Sequence, residues 1–212
     1  MPQLHLTTLV YIFVAVLAAA LVVDGSKDTS FVFKPCGTVI TVMGFVLLVF
    51  DKWAWSFRFL HPWFVARPYI RGTWRGLLHS DYVDPGTGQK VPPIEVYLVF
   101  RQTYFTIHAR LLTRESSSEA MAMEIPKAAD GVYTVASIYR NTPKQNHREH
   151  SPIHHGAMLI HVEGDPVTAL RAEYWTDRLT RGRIDFAERS ETIFFDFETA
   201  SKAAFRATSP PT

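Results

Sequence analysis

From Leu4 to Val23 the chain runs twenty residues without an Asp, Glu, Lys or Arg. At about 1.5 Å per residue a helix of that length spans roughly 30 Å, the thickness of a bilayer core. Asp24, Gly25, Ser26, Lys27 and Asp28 end the run. A second stretch, Pro35 to Phe50, again holds only apolar, small and hydroxyl residues. Trp53, Trp55 and Phe57 extend its apolar character, and Lys52, Arg58, His61 and Trp63 complete an aromatic and cationic belt of the membrane-interface type. Two transmembrane helices are predicted for residues 1–57. The rival reading is a cleavable signal peptide with Ala18-Ala19-Ala20 near the cut. The lack of a basic residue before the run, its length and the second run behind it weigh against that. A pair of buried core helices would need an unusually large core around so long an uncharged run.

Orientation follows from the basic residues. The N-terminal flank has no Lys or Arg, and in the loop Lys27 and Lys34 are diluted by Asp24 and Asp28. The flank after the second run carries Lys52, Arg58, Arg67, Arg71 and Arg75. The positive-inside rule then places that flank, the N-terminus and the rest of the chain in the cytoplasm. A single cysteine, Cys36, excludes a disulfide framework and a cysteine-built zinc site. A hydrophobic fraction of 47% excludes a disordered chain, and a net charge of +2 gives no sign of a DNA-binding surface.

Residues 58–71 read as a juxtamembrane connector, with Phe59, Leu60, Trp63, Phe64, Val65 and Tyr69 beside Pro62 and Pro68. From Gly72 the period becomes two. Ile94, Val96, Leu98 and Phe100 alternate with Glu95, Tyr97, Val99 and Arg101. Thr103, Phe105, Ile107, Ala109 and Leu111 share one side of the next segment, and Val132, Thr134, Ala136 and Ile138 share a face of another. Leu170, Ala172 and Tyr174 face away from Arg171, Glu173 and Trp175, and Ile184 and Phe186 away from Arg183, Asp185 and Ala187. Asp84-Pro85-Gly86-Thr87-Gly88, Asp130-Gly131 and Gly164-Asp165-Pro166 punctuate the pattern as turns. About eight antiparallel strands in sequence predict a small closed β-barrel over residues 72–190, with a sandwich as the structural alternative. Residues 191–212 form a C-terminal tail carrying Phe194, Phe195, Phe197 and Phe205.

Patterns of catalysis are scarce. There is no G-x-S-x-G elbow, no phosphate-binding P-loop and no H-E-x-x-H. His147, Glu149, His150, His154 and His155 cluster in sequence, but their spacing matches no zinc template, and a solvated loop explains them. In Tyr174-Trp175-Thr176-Asp177-Arg178, strand geometry puts Tyr174, Thr176 and Arg178 on one side. A ring, a hydroxyl and a guanidinium together suit a base, a sugar and a phosphate, although a buried polar network inside a barrel accounts for them equally. Tyr139-Arg140-Asn141-Thr142-Pro143 has the same character, with a plain turn as its alternative. Ser116-Ser117-Ser118 offers further hydroxyls.

These pieces in this order resemble the CBASS anti-phage membrane effectors, which join two transmembrane helices to a minimal β-barrel and are encoded beside a cyclic-nucleotide synthase. The resemblance runs from Leu4 to Arg189. It rests on Gly72-Thr73-Trp74-Arg75-Gly76, on Arg101-Gln102-Thr103 with the strand that follows, and on Glu115-Ser116-Ser117-Ser118. It rests further on Tyr139 to Pro143, on His155-Gly156-Ala157, and on Glu173 to Arg178 with Gly182 and Ile184. The chain departs from the family at Thr142 and His155, where Glu and Arg are favoured. The resemblance implies a cytosolic receptor barrel, with no catalytic residues, cofactor or metal, on a multi-pass protein of the bacterial inner membrane. Its ligand is a cyclic dinucleotide supplied by the synthase. Binding then drives self-oligomerisation of the helices, disruption of the lipid bilayer and cell death. The implied ligand-binding residues are Tyr139, Arg140, Asn141, Pro143, His155, Tyr174, Thr176 and Arg178. Two rivals remain: a membrane-tethered, lipocalin-like barrel carrying an apolar ligand, and a metal-dependent hydrolase built on the histidine cluster.

Overall fold

A computed structural model of the chain describes residues 15–16, 33–61, 63–149 and 151–208. They fall into two compact units, Met1–Ala66 with Thr103–Thr106, and Arg67–Gln102 with Ile107–Thr212.

The first unit is built on helix α1 (Phe33–Lys52), followed by two short 3-10 turns at Ala54–Ser56 and Arg58–Leu60. Trp55 and Val65 are buried in it. The segment 103–106 docks on the end of α1. The Asp51 carbonyl accepts from Tyr104 N at 3.1 Å, and Asp51 Oδ1 accepts from Phe105 N at 2.9 Å. The Tyr104 ring packs edge-on against Phe50 at 4.9 Å and Trp55 at 6.2 Å.

Among the described residues no helix is long and apolar enough to cross a membrane. This corrects the expected two-helix transmembrane anchor, and with it the expected place of the chain as a multi-pass inner-membrane protein. The first expected span, Leu4 to Val23, lies outside the described residues apart from residues 15 and 16, which are helical. The second forms as α1, where Gly37, Thr41 and Gly44 dilute the apolar run and Asp51 and Lys52 charge its last turn.

The second unit is a closed antiparallel barrel. Its strands are β1 (Gly72–Ser80), β2 (Ile94–Gln102), β3 (Ile107–Leu112), β4 (Ser116–Glu124), β5 (Thr134–Pro143), β6 (His154–Glu163), β7 (Ala169–Thr176) and β8 (Arg181–Ser190). Each pairs with the next, and β8 returns to pair with β1. Bulges at Arg75/Gly76 and Ala120/Ala122 bend the sheet. Eight strands leave an interior that side chains just fill. Trp74, Phe100, Ile160, Leu170, Ile184 and Phe186 do so here, leaving a cavity of about 20 Å³ among Leu98, Leu111, Ser118, Ser137, Tyr139 and Met158.

The segment before β1 closes one end. Ile70 is fully buried, and its N–H donates to Gln102 Oε1 at 3.0 Å. Gln102 Nε2 donates to the Pro68 carbonyl, and Trp74 Nε1 to the Ile70 carbonyl. The Arg189 guanidinium sits over the Tyr69 and Trp74 rings, 5.1 and 5.2 Å from their centroids, and bonds the carbonyls of Tyr69 and Arg71.

Strand β2 is buried on both faces. Its outer residues Tyr97 and Val99, with Leu112 of β3, are covered by the C-terminal segment through α2 (Phe197–Ser201), whose Phe197 and Ala200 are buried. Asp196 caps α2, accepting from Thr199 N at 2.8 Å. A two-residue strand, β9 (Arg206–Ala207), then pairs with β8.

Strand β5 shows an unexpected phase. Thr134, Ala136 and Ile138 do share a face, but it is the outer one, and Val135, Ser137, Tyr139 and Asn141 point inward. Segment 103–106 also leaves the sheet, so the alternation read through Thr103 and Phe105 begins only at Ile107.

Candidate functional site

The end of the barrel opposite Ile70 gathers the end of β1, the starts of β4, β6 and β8, and the ends of β5 and β7. Two tyrosines reach it from inward positions, each facing a glycine across the ladder. Tyr139 pairs with Gly156 and Tyr174 with Gly182. A Cβ on Gly156 would stand 2.5 Å from Tyr139 Cζ, and one on Gly182 2.8 Å from Tyr174 Cε1 and Oη. Only glycine leaves room for the rings there. A third such pair, Gly76 beneath Phe186, continues the device into the core. Burial raises both phenols above the ordinary tyrosine range; the neighbouring Tyr174 and the Asp177 charge add to the effect at Tyr139. Both therefore remain neutral hydrogen-bonding rings at physiological pH. The Ser80 hydroxyl beside Tyr174 offsets part of that rise.

Beside them Asn141, 7% exposed, donates from Nδ2 to Ser116 Oγ at 3.0 Å and Ser118 Oγ at 2.8 Å. The rim is the turn between β7 and β8. Thr176 Oγ1 lies 2.8 Å from Thr180 Oγ1 and accepts from Arg178 N at 3.2 Å. Asp177 ties the turn to β6, accepting from His155 N at 2.9 Å while its own N–H donates to the His155 carbonyl. Leu179 holds a left-handed φ of 60° with its side chain 94% exposed. Arg178 Nη1 donates to Ser151 Oγ at 3.0 Å. Asp81 accepts from Arg181 N at 2.8 Å and Nε at 3.1 Å, and these bonds hold its carboxyl below the ordinary range.

Of the residues singled out in the sequence, Tyr139, Asn141, Tyr174 and Thr176 therefore come together on the inner side of this end, with Pro143 buried at the end of β5. Arg178 stands on the rim, exposed. Arg140 and His155 pair across β5 and β6 but on the outer face, where His155 Nδ1 lies 3.7 Å from Asp177 Oδ2. The histidine loop does not converge. His147 Nδ1 is 3.8 Å from Glu115, His154 Nδ1 is 3.1 Å from the Pro152 carbonyl, and His150 lies outside the described residues. Among the described residues no three metal-ligating side chains gather. Sequence reasoning missed Ser80, Asp81 and Thr180 here, and missed what Gly156 and Gly182 do. Their signal is a tyrosine–glycine pairing across strands, visible only once the register is known.

The arrangement gathers two nearly buried phenol rings, an amide and several hydroxyls on the inner side of this end, with a guanidinium exposed on the rim. The rim guanidinium and hydroxyls of such a set can bond phosphates. No curated protein matches the chain. The family model for Cap15, cyclic dinucleotide receptor domain, matches residues 65–188, which is more than half of the 212 residues and takes in all eight barrel strands almost to their ends. By that match the chain belongs to the family of Cap15 cyclic dinucleotide receptor domains.

Proposed function

We propose that this chain is an effector of CBASS anti-phage signalling whose barrel end binds the cyclic dinucleotide through Tyr139, Asn141, Tyr174, Thr176 and Arg178. The observation that carries this is the pair of tyrosine rings seated on Gly156 and Gly182 beside the Asn141 amide. A cyclic dinucleotide has two bases to stack and two phosphates to grip. Arg178 and Arg181 stand on the rim where phosphates would lie. The roles of Arg140 and His155 in this reading are indirect, because their side chains leave the strands on the other face.

Occupancy promotes self-association of the chain, and the output is damage to a lipid bilayer. The aromatic residues Trp53, Phe59 and Trp63, each more than 60% exposed in the first unit, support contact with lipid headgroups. A lipid-carrier reading is not favoured by the interior cavity beside Leu98, Leu111 and Tyr139, which is about 20 Å³.

The test is calorimetric titration of the full chain with cyclic di-AMP, cyclic di-GMP, cyclic GMP–AMP and cyclic UMP–AMP, with palmitate as control. Micromolar or tighter binding of one nucleotide supports the reading. Binding of palmitate alone overturns it.

A further inference from the structure

The turn between β7 and β8 breaks a rule that other turns of the chain keep. Thr176 N donates to the Thr180 carbonyl at 2.9 Å, and Leu179 N to the Thr176 carbonyl at 3.1 Å, so Asp177, Arg178 and Leu179 form a three-residue hairpin loop. The last position of such a loop is left-handed, and glycine fills it without strain. Here the position holds Leu179, with a φ of 60°. Among the described residues it is the one residue other than glycine with a positive φ, and the turns at Gly88, Gly131 and Gly164 all use glycine.

A leucine on a protein surface is ordinary. A leucine under backbone strain with 94% of its surface exposed is not, because packing offsets almost none of the strain. The turn is also braced from both sides. Asp177 accepts from His155 N, Arg178 Nη1 donates to Ser151 Oγ, and Asp81 accepts from Arg181 N and Nε. Leu179 is thus an unpacked apolar side chain on a fixed support at the mouth of the barrel.

The mouth is where a nucleobase has to lie. Tyr139 is 7% and Tyr174 8% exposed, and the cavity beside Tyr139, at about 20 Å³, has room for a water and not for a base. A base that touches the tyrosines at their exposed edges turns its other face to the rim, and that face needs an apolar partner. Exposed apolar side chains at this end are Leu179, Ile153 just before β6 and Tyr82 just after β1. Leu179 alone of the three bears backbone strain, and Arg178 precedes it.

We propose that Leu179 is a further ligand-binding residue, whose side chain covers the face of one base of the cyclic dinucleotide while Arg178 beside it meets a phosphate. This rests on the functional reading given above. The strain then has a use: the leucine is in place before the ligand arrives, and little ordering of the turn is needed on binding.

The test is calorimetric titration of the full chain with the same four cyclic dinucleotides, at several temperatures, for wild type, Leu179→Asn, Leu179→Gly and Leu179→Met, with a urea midpoint for each. Asparagine and glycine accept a left-handed turn, so Leu179→Asn and Leu179→Gly are expected to raise the urea midpoint. Both are expected to weaken binding at least about fivefold, on the order of what burying part of a leucine supplies, and to make the heat-capacity change of binding less negative. Leu179→Met keeps an apolar chain of similar volume and holds affinity within about twofold of wild type. Wild-type affinity in Leu179→Asn and Leu179→Gly overturns the assignment and leaves the ligand site standing. A lowered urea midpoint in both also overturns it, because the leucine then serves the fold. If the wild type binds none of the four nucleotides, the functional reading falls and the assignment falls with it.

Discussion

Tyr174 rests against Gly182, close enough that a methyl group on the glycine would stand 2.8 Å from both its Cε1 and its Oη. The same contact recurs between Tyr139 and Gly156 one strand pair away. The positions of both rings are set by what is missing opposite them.

Gly182→Ala and Gly156→Ala each overpack a site where backbone carbonyls, His79 and Trp175 respectively, also crowd the new carbon. A loss of about 1–3 kcal/mol in folding stability is expected for either, measured as a lower urea midpoint at constant m-value. Nucleotide affinity falls with it, because the tyrosine must move. A wild-type midpoint and affinity in both variants would remove the glycine platform from the account.

Arg178→Ala removes an exposed guanidinium whose described partner is the Ser151 hydroxyl. Stability changes by less than about 0.5 kcal/mol, as for a surface substitution. Affinity for the cyclic dinucleotide drops at least about tenfold if the guanidinium meets a phosphate, since charge-assisted bonds are the strong ones. Titration calorimetry on the folded variant measures this directly.

Asn141→Ala deletes the donor that joins Ser116 and Ser118 in a nearly dry setting. A cost of about 1–3 kcal/mol is expected, together with weaker nucleotide binding. Thr142→Ala, one residue on and facing the other way, serves as the control and stays near wild type on both counts.

Alkaline pH should unfold the barrel earlier than an ordinary tyrosine content implies. Burial and the Glu95 carboxylate push the Tyr97 phenol from 10.0 to about 12, and Tyr139 and Tyr174 are raised as well. In the unfolded chain these groups ionise near pH 10, while the folded state keeps them neutral, so their stabilisation is full below that pH and is lost as pH rises through the folded values. Urea midpoints between about pH 9 and pH 12 should fall steadily, and Tyr97→Phe should flatten that slope.

Much of this barrel is legible in its alternation. Val96, Leu98 and Phe100, Leu170, Ala172 and Tyr174, and Ile184 and Phe186 all point inward as their apolar spacing requires. Strand β5 is different because its inner face carries Ser137 and Asn141, buried by hydrogen bonding and close packing rather than by apolar character, while apolar Ile138 faces out. A strand whose buried face is held by polar groups while an isoleucine lies on its outer face defeats a reading by hydrophobicity. The candidate residues Tyr139, Asn141, Tyr174 and Thr176 were legible as a set because strand spacing aligned each pair. The outward turn of Arg140 and His155 was not, because it depends on the phase of β5 and β6. The N-terminal expectation failed on a different point. An apolar run predicts a helix well, and α1 forms, but Gly37, Thr41, Gly44 and the closing Asp51 and Lys52 separate a helix from a spanning one.

The closure of β1 on β8 has a further consequence. Unpaired strand edges are the usual templates for uncontrolled growth, in which each added chain extends a ladder and exposes the next. In the eight-strand barrel every strand has a neighbour on both sides, and among the described residues the short edge that remains belongs to the two residues of β9. Growth by strand addition is closed off along the barrel, so laddered aggregation is disfavoured even where the chain is concentrated.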